Sequence, residues 1–216
     1  MRPLLLAALL APGTASAGPC GTAVVFATDV SNSVVPAEYR LQIDGLADAR
    51  RDPEVAAALV EGQVAVAVLQ WSGEDSQRVS IPWTAVRAPS DALTLSARIR
   101  ALPRAWEFSD TAPAEAIRAS LALLADAPPC GRRVIDVSGD GPRNRGGDVG
   151  AARDAAEAAG VAINGIAIEI AGTEVAAWYR ANLVTPGGFV VAARGHADYP
   201  RAIRDKILRE IGRPTS

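Results

Sequence analysis

The sequence predicts an α/β fold: a mostly parallel six-stranded sheet with one antiparallel edge strand and helices on both faces. Short apolar runs alternate along the chain with longer amphipathic stretches, the pattern of successive βαβ units. Most of those runs are too apolar to leave either face in water, as expected of strands covered from above and below. A chain of 216 residues, 49% hydrophobic and 5% aromatic, suits one compact domain.

The candidate strands cover residues 22–28, 64–71, 78–83, 133–138, 161–168 and 188–192. Ser72-Gly73-Glu74-Asp75, between the second and third, is short and turn-like, so those two form the antiparallel hairpin at one edge. Helices are expected over 36–50, 52–60, 90–102, 113–125, 148–159, 173–182 and 196–211. Pro36 and Pro113 suit a first helical turn, where a missing N–H costs nothing. Gly160 stops one helix, and Gly212-Arg213-Pro214 stops the last. Internal repeats and low-complexity linkers are lacking, so residues 18–216 read as one domain.

Ahead of that domain, residues 1–17 combine Arg2, an apolar stretch from Leu4 to Ala11 and the small-x-small ending Ala15-Ser16-Ala17. This predicts a cleaved signal peptide and a periplasmic or secreted protein. Pro19 beside Cys20 spoils a lipoprotein-type acylation signal. No later stretch reaches the roughly 18 apolar residues of a spanning helix, so stable membrane insertion is not expected. The net charge of −2 and the lack of a basic run argue against a nucleic-acid partner.

Export makes the two cysteines a candidate disulfide. Cys20 and Cys130 each precede an apolar run ending in an aspartate, Asp29 and Asp140. If those runs are neighbouring parallel strands, both sulfurs lie at the same end of the sheet. The alternative is two separate buried thiols.

The aspartates point to the chemistry. Asp29-Val30-Ser31-Asn32-Ser33 leaves the first strand at its carboxyl end, where open α/β sheets bind ligands. Spacing by two lets Asp29, Ser31 and Ser33 aim oxygens into one space. A hard divalent cation takes about six oxygens, several from water, so these three form half a site. The other half is Asp140, in Ser138-Gly139-Asp140-Gly141 after the fourth strand, and Thr111, in the polar loop Ser109-Asp110-Thr111 before the helix opened by Pro113.

This set resembles the metal-ion-dependent adhesion site of von Willebrand factor A domains. The resemblance covers nearly all of the mature chain and looks closest to secreted bacterial vWA-like proteins of unknown function, in which Val-Ile-Asp-Val-Ser-Gly-Asp-Gly recurs. It implies a three-layer α/β/α sandwich in which Ser31, Ser33 and Thr111 bind the metal directly through hydroxyls. Asp29 and Asp140 would act largely through bound waters. The cation would be Mg²⁺, with Mn²⁺ or Ca²⁺ as alternatives, and its open position would take a carboxylate from a protein or peptide ligand. The implied role is binding, not catalysis. One departure is Ser109-Asp110-Thr111 in place of Gly-x-Thr; Asp110 is expected to cap the following helix.

Asp136, inside the fourth apolar run, reads as a hydrogen-bonded structural group, and His196 as a surface or capping residue. The tryptophans, Trp71, Trp83, Trp106 and Trp178, read as core and rim packing, with Trp106-Glu107-Phe108 able to line the metal-side surface. Arg143-Asn144-Arg145 reads as a solvated loop, with steering of an acidic partner as the alternative. Two rival functions remain: a structural envelope protein with a vestigial site, and a haloacid dehalogenase-like phosphatase with Asp29 as nucleophile. The phosphatase wants a second acid where this chain has Ser31, and a lysine near the phosphate, whereas the lone lysine is Lys206.

Overall fold

The computed structural model describes residues 20–170 and 174–212. The expected signal peptide, the start of the helix expected at 173 and the tail beyond Gly212 lie outside them. Among the described residues the sheet has six strands in the order β3-β2-β1-β4-β5-β6. They are β1 (Cys20–Asp29), β2 (Ala65–Trp71), β3 (Gln77–Ala85), β4 (Cys130–Gly139), β5 (Ala162–Ile168) and β6 (Val190–Ala193). Only the β2–β3 pairing is antiparallel, as the hairpin turn predicted.

The helices are α1 (Pro36–Ala49), α2 (Pro53–Glu61), α3 (Pro89–Arg100), α4 (Pro113–Ala125), α5 (Val149–Ala158), α6 (Val175–Asn182) and α7 (Tyr199–Ile211). The last differs most from expectation: residues 196–198 form a 3₁₀ turn and the α-helix begins at Tyr199. Pro200 is the reason, since proline is tolerated in a first turn but removes a hydrogen bond from a helix interior.

Period-two alternation divides β1 between two cores. Val24 and Phe26 join Val66, Val68, Val134 and Ile166 under α1, α2, α3 and α7. Ala23, Val25 and Ala27 join Leu69, Ile135, Val137 and Ile163 under α4, α5 and α6. The result is a three-layer α/β/α sandwich.

Both cysteines lie further into the strands than the apolar runs suggested. Cys20 and Cys130 are register partners on the parallel pair β1 and β4, and a disulfide joins them with Cα atoms 4.4 Å apart. Asp136 faces α7 and is buried. Its Oδ2 lies 2.6 Å from Lys206 Nζ, which also donates to Glu210 Oε2 at 2.9 Å. Asn164 and Arg132 donate to the other Glu210 oxygen. Every charge in this interior cluster therefore has a partner, the condition under which burial is tolerated. Burial pushes the Asp136 carboxyl above its ordinary range, while Lys206 opposes the shift.

The chain runs outward from β1 to β3 and then returns to place β4 on the other side of β1. Adjacent carboxyl ends followed by loops to opposite faces make a topological switch point, where α/β sheets open a crevice.

Candidate functional site

The loop after β1 is held from several sides. Val30 N–H donates to Trp71 O at the end of β2, and Asn32 N–H to Ser109 O. Arg104 reaches beneath the loop and donates to the carbonyls of Val30 and Ser31, the latter at 2.9 Å. Within the turn, Ser31 N–H donates to Asp29 Oδ1 at 2.7 Å, an Asx-type bond that bends the chain as it leaves the strand.

Four of the five expected residues are linked by these contacts. Ser31 Oγ lies 3.2 Å from Ser33 Oγ, and Ser33 Oγ donates to Asp140 Oδ1 at 2.6 Å. Asp29, Ser31 and Asp140 are buried, whereas Ser33 is open to solvent. Thr111 is buried and is tied to the same end of the sheet by its backbone. Its N–H donates to Asn144 Oδ1 at 2.8 Å, and Asn144 N–H returns a bond to Thr111 O. The neighbouring residues bind the β2–β3 turn, Ala112 N–H donating to Ser72 O and Ser72 Oγ to Asp110 O.

Asp29 Oδ2 and Asp140 Oδ2 are both buried without a hydrogen-bond partner. Desolvation, followed by the neighbouring Asp140 charge, pushes the Asp29 carboxyl up to about 7. Burial also raises Asp140, against the Ser33 hydrogen bond. Gly139 makes room for Asp29 and Tyr179: a Cβ there would fall 2.9 Å from Asp29 Oδ2 and 2.6 Å from the Tyr179 hydroxyl. Two buried acids with orphaned oxygens beside two serine hydroxyls match the oxygen donors a hard divalent cation takes. Among the described residues no three His, Cys, Asp or Glu side chains group as a metal cage.

Several expectations need correction. Asp110 does not cap α4; Ala112 occupies that position without a side-chain bond, and Asp110 turns outward to accept from Arg145 Nε at 3.1 Å. The hydrogen bonds of Ala112 N–H and Asp110 O to Ser72 hold the approach to the helix, and the exposed carboxylate pairs with the loop opposite. Arg143-Asn144-Arg145 is consequently more than a solvated loop, because Asn144 positions Thr111 and Arg145 spans the rim. Trp106 is half-buried under the Arg78 guanidinium, whereas Phe108 is 87% exposed, with a positive φ of 56°.

His196 is not a surface residue. It is 5% exposed, with Nδ1 3.3 Å from Glu38 Oε1 and Nε2 3.9 Å from Asp140 Oδ2. Sequence reasoning missed it, along with Arg104, Asn144 and Tyr179. A topological signal existed for His196: it follows β6, and every loop after a parallel strand of one sheet opens on the same edge.

The fold is shared with solved von Willebrand factor A structures. Proximal thread matrix protein 1 of the mussel byssus, with a zinc-occupied metal-ion-dependent adhesion motif, superposes with a TM-score of 0.62 at 13% identity, over 89% of this chain and 47% of that one. A von Willebrand factor type A protein from Catenulispora acidiphila gives 0.61 at 16% identity, over 90% and 43%. This chain thus spans about half the length of either. The conserved hypothetical protein BatB from Bacteroides thetaiotaomicron gives 0.55 at 20% identity, over 89% and 99%. Among curated proteins nothing matches this sequence. Residues 19–215 match the family described as protein of unknown function (DUF1194), and the chain belongs to that family, built on a von Willebrand factor A fold.

Proposed function

We propose that this protein is an exported binding module that recognises a carboxylate-bearing protein or peptide through a divalent cation. Asp29, Ser31, Ser33, Thr111 and Asp140 would hold the cation, leaving one coordination place to the partner. The observation that carries this reading is the pair of buried oxygens without a hydrogen-bond partner, Asp29 Oδ2 and Asp140 Oδ2, at the switch point of the sheet. Such a pair is costly as two bare charges and favourable around a cation. The mussel neighbour's zinc-occupied motif on the same fold supports a divalent ion.

Phe108, exposed in the loop beside Ser109, and the Arg145–Asp110 pair at the rim would offer a partner apolar and polar contacts around the metal. The Cys20–Cys130 disulfide agrees with an oxidising compartment, periplasmic or external. Binding is favoured over phosphate-ester hydrolysis by two features. Ser31 stands where the second acid is needed, and Lys206 is held inside the domain by Asp136 and Glu210.

Titration calorimetry with Mg²⁺, Mn²⁺ and Ca²⁺ on the wild type, Asp29→Ala and Ser33→Ala tests the proposal. The wild type should bind at least one cation with a stoichiometry of about one, and each substitution should abolish or sharply weaken it. Absence of binding in the wild type, or binding indifferent to both substitutions, would sink the reading.

A further inference from the structure

The imidazole beside Asp140 has no part in the hydroxyl and carboxylate set, yet its surroundings are those of a ligand. His196 lies in the 3₁₀ turn before α7 and is buried, and it is the single histidine of the chain. Its Nε2 and Asp140 Oδ2 face each other at 3.9 Å, and neither has a hydrogen-bond partner. That separation is too long for a hydrogen bond. It leaves room between the atoms for a cation at roughly 2.0–2.2 Å from each, the usual reach of nitrogen and carboxylate ligands to zinc.

The far side of the ring is arranged to match. Nδ1 faces Glu38 Oε1 at 3.3 Å, while Glu38 Oε2 accepts from Val35 N–H at 2.9 Å and so is itself anchored at the start of α1. A carboxylate opposite Nδ1 favours the proton there and turns the Nε2 lone pair towards Asp140. This carboxylate–histidine arrangement orients imidazole ligands in metal sites.

We infer that His196 Nε2 and Asp140 Oδ2 form a nitrogen–oxygen ligand pair, so that the pocket takes a borderline cation, Zn²⁺ above all, in preference to Mg²⁺ or Ca²⁺. This rests on the proposed cation pocket and adds to it an imidazole ligand, the donor type that shifts selectivity towards zinc. Glu38 is a positioning residue, acting through the ring.

A single histidine makes the test direct in the untagged mature chain labelled with ¹⁵N. Zn²⁺ should move the Nε2 resonance to the metal-bound position while Nδ1 stays protonated, and Mg²⁺ should leave both where they are. In calorimetry His196→Gln should weaken Zn²⁺ binding by about tenfold or more, and Glu38→Gln should weaken it by a smaller factor. Zinc binding with an unmoved Nε2 resonance overturns the inference and leaves the pocket reading intact. A wild type that binds neither Mg²⁺ nor Zn²⁺ overturns the pocket reading itself. The resonance is read on the wild type, so the result stands even if a substituted chain fails to fold.

Discussion

Asp29 carries the largest electrostatic cost at the site, and its titration should be visible in stability. In the unfolded chain the carboxyl ionises near 3.8, and in the folded chain its pKa is about 7. Between those values the folded state binds the extra proton, so Asp29 makes the cation-free domain lose stability as pH rises from about 4 to 7, by at most about 1.4 kcal/mol per pH unit. Asp29→Asn should remove that component, measured as the difference between wild-type and variant urea midpoints across the window. Saturating cation should also abolish it, because the ionised carboxylate then has a partner, and binding should release a proton near neutral pH. Asp29, Ser31 and Ser33 could be read together because a motif in one loop constrains its own geometry, and Asp140 because it too follows the carboxyl end of an apolar run. His196, Arg104, Asn144 and Tyr179 were not, since each arrives from a remote stretch and depends on the placement of β6, of the segment before α4, of the β4–α5 loop and of α6. A second residue-level consequence concerns Gly139, whose missing side chain makes room for Asp29 and Tyr179. Gly139→Ala should lower stability by about 2 kcal/mol or more and weaken cation binding together, since its clash falls on a buried ring and a buried acid.

At the scale of elements, α7 is held to the sheet by buried charge as well as by apolar contacts. Lys206 Nζ lies between Asp136 and Glu210, and Glu210 is bonded in turn by Asn164 and Arg132. Lys206→Met keeps the length and apolar stem but leaves Asp136 buried without its cation, which should cost about 3–5 kcal/mol. Lys206→Met combined with Asp136→Leu should recover much of that loss, because the orphaned charge is gone. Denaturant unfolding of the two variants checks both outcomes. If the single change proves as mild as the double, the cluster contributes little to holding α7. The amphipathic pattern predicted the helix and the apolar strand pattern predicted β4, but neither shows that a lysine on one meets an aspartate on the other. Pairings between elements follow from register and helix rotation, which one-dimensional periodicity does not set. The helix starts shifted for a local reason that was available: at Pro89 and Pro200 the α-helix begins at or beside the proline.

Across the whole molecule, the disulfide and the candidate site occupy opposite ends of the same two strands. β1 runs from Cys20 to Asp29 and β4 from Cys130 to Gly139, parallel and in register. Ten residues at about 3.3 Å each put roughly 30 Å between the sulfur pair and the carboxylates. The disulfide closes a sequence separation of 110 residues, for which chain-entropy arguments give a stabilisation of about 4–5 kcal/mol. For a domain of this size that corresponds to a fall in Tm of about 10 °C or more on its removal. The β1–β4 ladder continues from Thr22 to Thr28 without the cysteines, and the loops above it are pinned by Trp71, Arg104 and Ser109 rather than by the sulfurs. Cys20→Ser with Cys130→Ser should therefore lower Tm by that amount and leave cation affinity within about twofold, since substitutions this far apart with no shared partner act independently. Thermal scans with and without cation, followed by calorimetry well below the new Tm, separate the two quantities. A loss of affinity accompanying the loss of stability would mean that the strand pair slides or opens as one body. The carboxyl edge would then owe its shape to the covalent link at the far end rather than to the loops that surround it.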